Sequence, residues 1–118
     1  MEAQRYRHRV SFEERVEEED SETGALSYVW ATVYLDSDTP LENIPAEVLT
    51  GPGREFNAAD AKQAETSARV NLRWFPGLLP TWRMLWDGKA YDILSIETDA
   101  TARREYRLRC KEGVTDGA

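Results

Sequence analysis

Apolar and polar residues alternate at a period of two along most of this chain. In the first segment the positions expected to face inward are Tyr6, His8, Val10 and Phe12. Because successive side chains of a β-strand point to opposite faces, this period predicts strands. Six such segments fall within 118 residues, a length typical of one domain. The sequence therefore predicts a single mainly β domain over residues 1–118, a small antiparallel β-barrel or sandwich of about six strands.

The second segment, Leu26 to Leu35, is apolar on both faces. Such a strand is typical of the centre of a sheet, where both faces are covered, and we expect it to be central. The run from Glu17 to Gly24 before it is too polar to bury and ends in glycine, which predicts a hairpin tip. Seven acidic residues lie between Glu13 and Glu22. They could bind a cation, but their spacing does not match an EF-hand loop, and a solvated tip or a surface for a basic partner is commoner.

Residues 36–56 interrupt the alternation and predict one long loop. Within it the apolar residues are Leu41, Ile44, Val48 and Leu49, whose spacing is compatible with one or two helical turns. A long loop inside a compact domain is uncommon and is typically functional or mobile. Asn57 is a good N-cap before an alanine-rich segment, which predicts a short helix at about 57–65, between the second and third strands.

Two local signals mark the later strands. Asp87-Gly88 favours a two-residue hairpin turn, because both central residues of such a turn adopt positive φ. The inward face switches between Ile93 and Leu94, which predicts a β-bulge. Residues 113–118 are predicted to form a flexible tail.

The net charge is −7, from 15 basic and 22 acidic residues, and it is unevenly distributed. Residues 1–60 carry −9, whereas residues 61–118 carry +2. Bulk charge of this sign does not hold a chain to a phosphate backbone. Seven arginines fall on the polar faces of strands: Arg5, Arg7, Arg9, Arg69, Arg73, Arg107 and Arg109. They are either solvated or, in an oligomer, face an acidic patch of a neighbouring copy, an arrangement suited to head-to-tail contacts.

The chain carries no recognisable catalytic motif, and we predict neither an enzyme nor a bound cofactor. Gly51–Arg54 lacks the Lys and Ser/Thr of a P-loop, and there is no nucleophile elbow or His-Glu-x-x-His. Cys110 and His8 are the only cysteine and histidine; a buried thiol and a strand histidine are a simpler interpretation than a catalytic pair or a zinc site. No apolar run approaches the ~20 residues of a membrane helix and no signal peptide is evident, so we expect a soluble protein.

The tryptophans have two interpretations. Trp74, Trp82 and Trp86 occupy inward positions of alternating strands, which favours core packing. The alternative is an OB-like domain in which exposed aromatic rings stack on single-stranded nucleic acid beside basic neighbours. The basic neighbours would then be Arg69, Arg73, Arg83, Arg107 and Arg109. The acidic first half of the chain argues against this alternative.

Several short segments carry a family resemblance. Arg7–Val10 opens the first strand, an acidic hairpin follows, and Tyr28–Tyr34 forms the second strand. Further along the chain stand Gly53–Phe56, Val70–Trp74, Phe75–Leu78, Asp87–Ile93 and Leu108–Glu112. In this order and spacing, over about residues 5–112, they resemble the head–tail joining proteins (head closure, or stopper, proteins) of long-tailed phages, prophages and gene transfer particles.

The resemblance implies a structural protein of the virion neck. Its β-barrel subunit would form a homo-oligomeric ring below the portal and its adaptor, the head-completion protein, and above the tail terminator or tail tube protein. The ring would help to retain packaged DNA and would dock the tail, while double-stranded DNA passes through its channel without sequence-specific binding. Assembly would take place in the host cytoplasm, away from any membrane. Another neck or tail protein of similar fold, such as a tail terminator, is the nearest alternative.

The resemblance also implies that the loop between the second and third strands, here 36–56, faces the channel as a gate. The residues assigned to this gate are Asp36, Asp38, Glu42, Asn43, Glu47 and Arg54. Acidic groups there would repel phosphates. Asp36–Pro52 looks like an insertion relative to the family. From the segregated charge, we assign the subunit or partner interface to the seven arginines named above and to Glu17, Glu18, Glu19 and Asp20.

Overall fold

Seven antiparallel strands dominate the computed structural model, which describes residues 5–50, 67–98, 102 and 104–113. The strands are β1 (His8–Glu19), β2 (Leu26–Thr32), β3 (Ile44–Thr50), β4 (Ala68–Arg73), β5 (Arg83–Trp86), β6 (Lys89–Thr98) and β7 (Glu105–Glu112). The mainly β prediction is confirmed. No helix in the described part of the chain is long and apolar enough to cross a membrane.

Six of the strands form a closed ring of hydrogen-bonded pairs. The strand order is β2-β1-β3-β4-β7-β6-β5, and β5 returns to pair with β1. The closing register places Phe12 opposite Met84, with Ser11 opposite Leu85 on one side. β1 can serve three partners because its first residues pair with β3, its middle with β5 and its last seven residues with β2. Closure leaves few strand edges open on the body of the domain.

The ring encloses a single apolar core. Its most deeply buried large side chains are Phe12, Leu72, Met84, Leu108, Val10, Val70 and Cys110. Trp82 is buried with them, and Trp74 and Trp86 pack partly buried against this cluster. The core-packing interpretation of these three tryptophans is therefore confirmed.

The prediction of a loop over 36–56 is wrong for residues 44–50, which form β3 between β1 and β4. Ala46 and Val48 point inward and are buried, whereas Leu49 points outward. The helical interpretation depended on grouping Leu49 with the inward residues, and this grouping hid a period-two pattern. The described strands therefore number seven instead of about six. The short helix predicted at 57–65 lies outside the described residues and is not confirmed.

β2 is not the central strand that its two apolar faces predict. Within the described chain it pairs only with β1, from Glu13↔Thr32 to Glu19↔Leu26, so that residues 13–32 project from the barrel as a two-stranded hairpin. We term this hairpin the arm. Leu26 is 61% exposed and Tyr28 is 59% exposed. Apolar residues on both faces indicate coverage, but the described chain covers only the inner end of β2, where Trp30 packs against Arg83.

The local predictions for the later strands are confirmed. Asp87 and Gly88 join β5 to β6 with φ of 55° and 74°, the conformation that the tight turn requires. The register of β6 against β7 shifts between Ile93 and Ser95, which leaves Leu94 43% exposed. Gly113, the first residue of the predicted tail, is held by its N–H, which donates to the Ala90 carbonyl at 2.8 Å.

Candidate functional site

The arm exposes an apolar stripe on one of its faces. Residues at every second position of a strand share a face, so that Leu26, Tyr28 and Trp30 stand in a row along β2. The Arg15 guanidinium lies 5.0 Å from the Tyr28 ring centroid and shields part of this ring. Leu26 remains open at the outer end. The arm therefore offers contact area that the monomer does not use.

The tip of the arm is a hydrogen-bonded turn with exposed carboxylates around it. Asp20 Oδ1 accepts the Glu22 N–H at 2.7 Å and the Thr23 N–H at 3.2 Å, and these bonds lower the pKa of Asp20. The turn closes through Gly24, whose φ is +75°. Among the described residues, no salt bridge involves Glu17, Glu18 or Glu19. With seven acidic residues and one arginine, the arm carries a net charge of −6.

The base of the arm is anchored to the barrel by Arg83 of β5. Its guanidinium bonds the Glu13 carboxylate through Nε at 2.9 Å and Nη2 at 2.7 Å, and it lies 4.4 Å from the Trp30 ring centroid. Beside this anchor lies a groove of about 500 Å³, lined by Glu14, Arg15, Trp30, Leu79, Pro80, Thr81, Trp82, Asp92 and Ile93. The buried Trp82 indole N–H has no hydrogen-bond partner within the described chain. The groove is thus a second open contact surface.

A basic pocket of about 570 Å³ lies near the N-terminal start of β1, where β4 ends and β7 begins. Its lining residues are Arg5, Tyr6, Arg73, Trp74, Arg104, Glu105 and Arg107. Glu105 is the one carboxylate among the lining residues that the structure describes; it is 2.7 Å from Arg5 Nη2 and 3.5 Å from Arg107 Nε, and it accepts the Tyr6 hydroxyl. Four guanidinium groups against this carboxylate give the described lining a net charge of +3.

Two of the pocket arginines are paired with no carboxylate among the described residues. Within the part of the chain that the structure describes, neither Arg73 nor Arg104 makes a salt bridge. Trp74 forms an aromatic floor, stacked on Tyr106 with a ring-centroid distance of 6.2 Å. Guanidinium forks that lack a carboxylate and lie beside a flat ring are suited to planar anions, above all carboxylates and phosphates.

The structure brings part of the predicted basic interface together. Arg5, Arg73 and Arg107 line the pocket. Arg69 and Arg109 stand opposite each other further along β4 and β7, with Arg109 paired to Glu97 at 2.9 Å. Two others lie apart: Arg9 donates to the Tyr6 and His8 carbonyls, and Arg7 is exposed. Sequence reasoning missed Arg104 and Glu105 as site residues, because neither alternation nor a local motif indicates that they lie beside Arg5 and Arg73.

The predicted gate residues do not form one cluster. Asp36 caps a turn after β2 by accepting the Asp38 N–H at 2.9 Å, and this bond is the main cause of its lowered pKa. Glu42 accepts the Thr32 hydroxyl at 3.3 Å, and Asn43 takes a φ of 55° and donates its N–H to Ser11 Oγ. Arg54 lies outside the described residues.

Glu47 belongs to the barrel wall, away from any loop. It stands on the outward face of β3, where Oε1 accepts hydrogen bonds from Asn71 Nδ2 at 2.9 Å and Arg5 Nε at 3.0 Å. The Asn71 hydrogen bond and the neighbouring Arg5 lower its pKa from the ordinary 4.5. Its place beside Arg5 makes it a support of the basic pocket, because it orients the Arg5 guanidinium.

Replacing Glu47 with Gln is expected to reduce the free energy of unfolding by about 0.5–1 kcal/mol at pH 7, since the group is partly solvated and the pair is screened. A folded-state pKa below 4.5 means that the carboxylate stabilises the fold above this pH and loses its effect as the pH falls through the lowered value. The difference in the free energy of unfolding between wild type and variant, measured by urea unfolding, should therefore be smaller below pH 4 than at pH 7. Glu17→Gln, on the solvated arm, is the control; an equal pH dependence in both variants would contradict the assignment.

The buried thiol of Cys110 is expected to be unreactive in the folded protein. Burial in the core raises its pKa to about 12, so that the nucleophilic thiolate is scarce at neutral pH. Iodoacetamide at pH 8, followed by mass spectrometry, should leave the native protein unmodified and should modify the same protein fully in urea. Rapid modification of the native protein would show that β7 opens readily.

The described residues offer no metal centre. They contain no group of three or more His, Cys, Asp or Glu side chains close enough to hold a cation. The acidic residues of the arm follow an extended strand and do not converge.

Comparison with known proteins identifies a family and a solved structure of similar fold. A family model described as "Phage head completion protein" matches residues 1–113. Among solved structures, the solution structure of protein SF1141 from Shigella flexneri 2a aligns with a TM-score of 0.71 and 22% sequence identity, over 97% of this chain and 98% of that chain. This second likeness concerns the fold alone. No curated protein matches the sequence.

Proposed function

We propose, from the premise that this chain belongs to the phage head completion protein family, that it is the ring-forming stopper subunit of the virion neck. The family consists of structural virion proteins that act in head completion. In the proposed role, copies of the chain form a ring below the portal and its adaptor. The ring retains packaged DNA and provides the docking surface for the tail.

One observation supports the ring above all: the molecule carries a net −6 arm at one end of β1 and, at the other end, a pocket whose described lining carries +3. Surfaces that are complementary but different produce head-to-tail contacts, and such contacts close into rings when the rotation between copies allows it. A closed barrel supplies a rigid body for the ring, since few of its edges are open to unspecific pairing.

The proposed gate is built from the connection between β2 and β3 and from the segment around Arg54. Asp36, Asp38 and Glu42 place three carboxylates on the 33–43 part of this connection. Carboxylates facing a channel repel the phosphates of double-stranded DNA and so hold the DNA without gripping it. Glu47 is no longer part of the proposed gate, because it is bonded on the barrel wall.

The remaining open surfaces suit the other proposed partners. The Leu26–Tyr28 stripe and the groove beside Trp30 and Trp82 support docking to the adaptor above or to the tail terminator or tail tube protein below. This role places the chain at the head–tail interface of a particle assembled in the host cytoplasm.

The decisive experiment mixes the purified protein with tail-less, DNA-filled heads of the particle that encodes it, followed by cryo-electron microscopy of the necks. The proposal expects added ring density below the portal and retained DNA. Binding to isolated tails in place of heads would favour a tail terminator. No binding to heads, together with oligonucleotide binding that falls steeply with salt, would favour the OB-like alternative.

A further inference from the structure

The arm tip and the basic pocket lie at opposite ends of one strand. Arg5 and Tyr6 of the pocket immediately precede β1, and Glu19 ends β1 at the tip. An extended chain rises about 3.3 Å per residue, so that roughly 40 Å separate Tyr6 from Glu19. The pairing of β1 with β3 and β5 holds the first half of this strand within the barrel wall. The tip of one molecule therefore cannot reach the pocket of the same molecule.

The arm tip and the basic pocket are complementary in their chemical groups as well as opposite in charge. The tip offers the carboxylates of Glu17, Glu18 and Glu19, which are exposed and make no salt bridge among the described residues. The pocket offers Arg73 and Arg104, which likewise lack a carboxylate partner within that part of the chain. Arginine binds carboxylates with two parallel hydrogen bonds, a geometry that adds specificity to the attraction. A pocket of about 570 Å³ is large enough to admit side chains, beyond a single small ion.

We propose that the basic pocket binds the carboxylates of the arm tip of a second copy of this chain. The inference rests on the proposed ring and names its contact: Glu17, Glu18 and Glu19 of one subunit against Arg73 and Arg104 of the next. Glu105 neutralises Arg5 and Arg107. Arg73 and Arg104 are therefore left to bind the incoming carboxylates. Nucleic acid is the less favoured occupant, because Glu105 and the overall charge of −7 repel phosphate.

Cross-linking between two variants that each carry one introduced cysteine tests this contact directly. Glu18→Cys and Arg104→Cys are each prepared in the full chain, mixed, and treated with a short bismaleimide in solution at low salt and again on tail-less heads. Cys110 stays silent because its thiol is buried and its pKa is about 12. The contact predicts a covalent heterodimer whose yield falls as salt screens the exposed charges. Glu18→Cys mixed with Lys89→Cys is the matched control, since Lys89 is an exposed cation at the start of β6, beside Glu112 at the far end of β7 from the pocket.

Charge reversal provides the second measurement. The triple variant Glu17→Lys, Glu18→Lys, Glu19→Lys and the double variant Arg73→Glu, Arg104→Glu should each lose self-association on heads by about tenfold or more. An equal mixture of the two reversed proteins should recover association, because reversed tip then meets reversed pocket. Circular dichroism verifies that each variant is folded.

The outcomes separate this contact from the neck role. Recovery in the mixture, with selective cross-linking to position 104, supports the contact. If the two cysteine variants decorate heads but form no cross-link between positions 18 and 104, the contact is overturned while the neck role stands. Cross-linking in solution by a protein that never binds heads supports the contact and rejects the neck role. If an oligonucleotide protects the Arg104→Cys thiol from modification more strongly than added wild-type protein does, the pocket is assigned to nucleic acid.

Discussion

A protein in which Asn-Gly replaces Val16–Val29 is expected to remain folded and to lose its binding to heads. The replacement keeps the Arg15↔Trp30 pair and closes it with a two-residue turn of the kind that suits twisted hairpins. Apart from half-buried Val16, the removed side chains are exposed, so the free energy of unfolding should change by about 1 kcal/mol at most. Binding should fall to background because both the tip carboxylates and the Leu26–Tyr28 stripe are gone. Urea unfolding and sedimentation with tail-less heads measure the two effects.

A variant with a neutralised but full-length arm distinguishes the effect of the arm's charge from the effect of its length. The variant Glu17→Gln, Glu18→Gln, Glu19→Gln keeps the apolar stripe and the turn around Asp20. If the carboxylates provide the contact, this variant should bind nearly as poorly as the truncated protein. If the stripe provides it, the variant should bind like wild type. A truncated protein that still decorates heads and retains DNA would remove the arm from the proposed function altogether.

Replacing Phe12 with Ala is expected to reduce the free energy of unfolding by about 3–5 kcal/mol. Phe12 is fully buried where β5 closes on β1, opposite Met84, and its ring centroid lies 5.9 Å from that of Trp82 and 6.1 Å from that of Phe75. Removing this ring leaves a cavity at the seam of the barrel. Since small domains are stable by about 5–15 kcal/mol, the loss is a large share of the total.

Urea unfolding followed by tryptophan fluorescence measures this loss. Phe12→Leu, which keeps most of the volume, should cost much less, and it remains measurable if the alanine variant fails to fold. Leu94→Ala is the control for an exposed apolar side chain on the bulge and should change stability by about 0.5 kcal/mol or less. Equal effects at positions 12 and 94 would mean that the β1–β5 seam is not closed.

Features decided by neighbouring residues were predicted correctly. The Asp87-Gly88 turn follows from the need for positive φ at two adjacent positions, and the bulge at Leu94 follows from a break in alternation within β6. Both signals depend on a few consecutive residues, and no distant part of the chain overrides them. The inward placement of Trp82 is predictable for the same reason, because Trp82 immediately precedes β5 and continues its alternation with Met84.

The errors occurred where alternation alone is ambiguous. β3 contains one proline and an outward Leu49, and its short pattern competes with helical spacing. Because residues 44–50 form β3, a deletion across the predicted loop would remove the strand between β1 and β4. For β2, apolar faces indicate that something covers the strand, but they do not identify what does.

By itself, the sequence determined a mainly β chain, the tight turn before β6, the bulge within β6 and the separation of acidic from basic residues. These properties depend on periodicity, backbone preference and composition, which are local or additive. Only the tertiary structure decided that β5 closes on β1, that residues 13–32 project as an arm, and that Arg5, Arg73, Arg104 and Arg107 share one pocket. The reason is physical: the pocket joins the start of β1, the end of β4 and the start of β7, and only the pairing register between distant strands brings those points together.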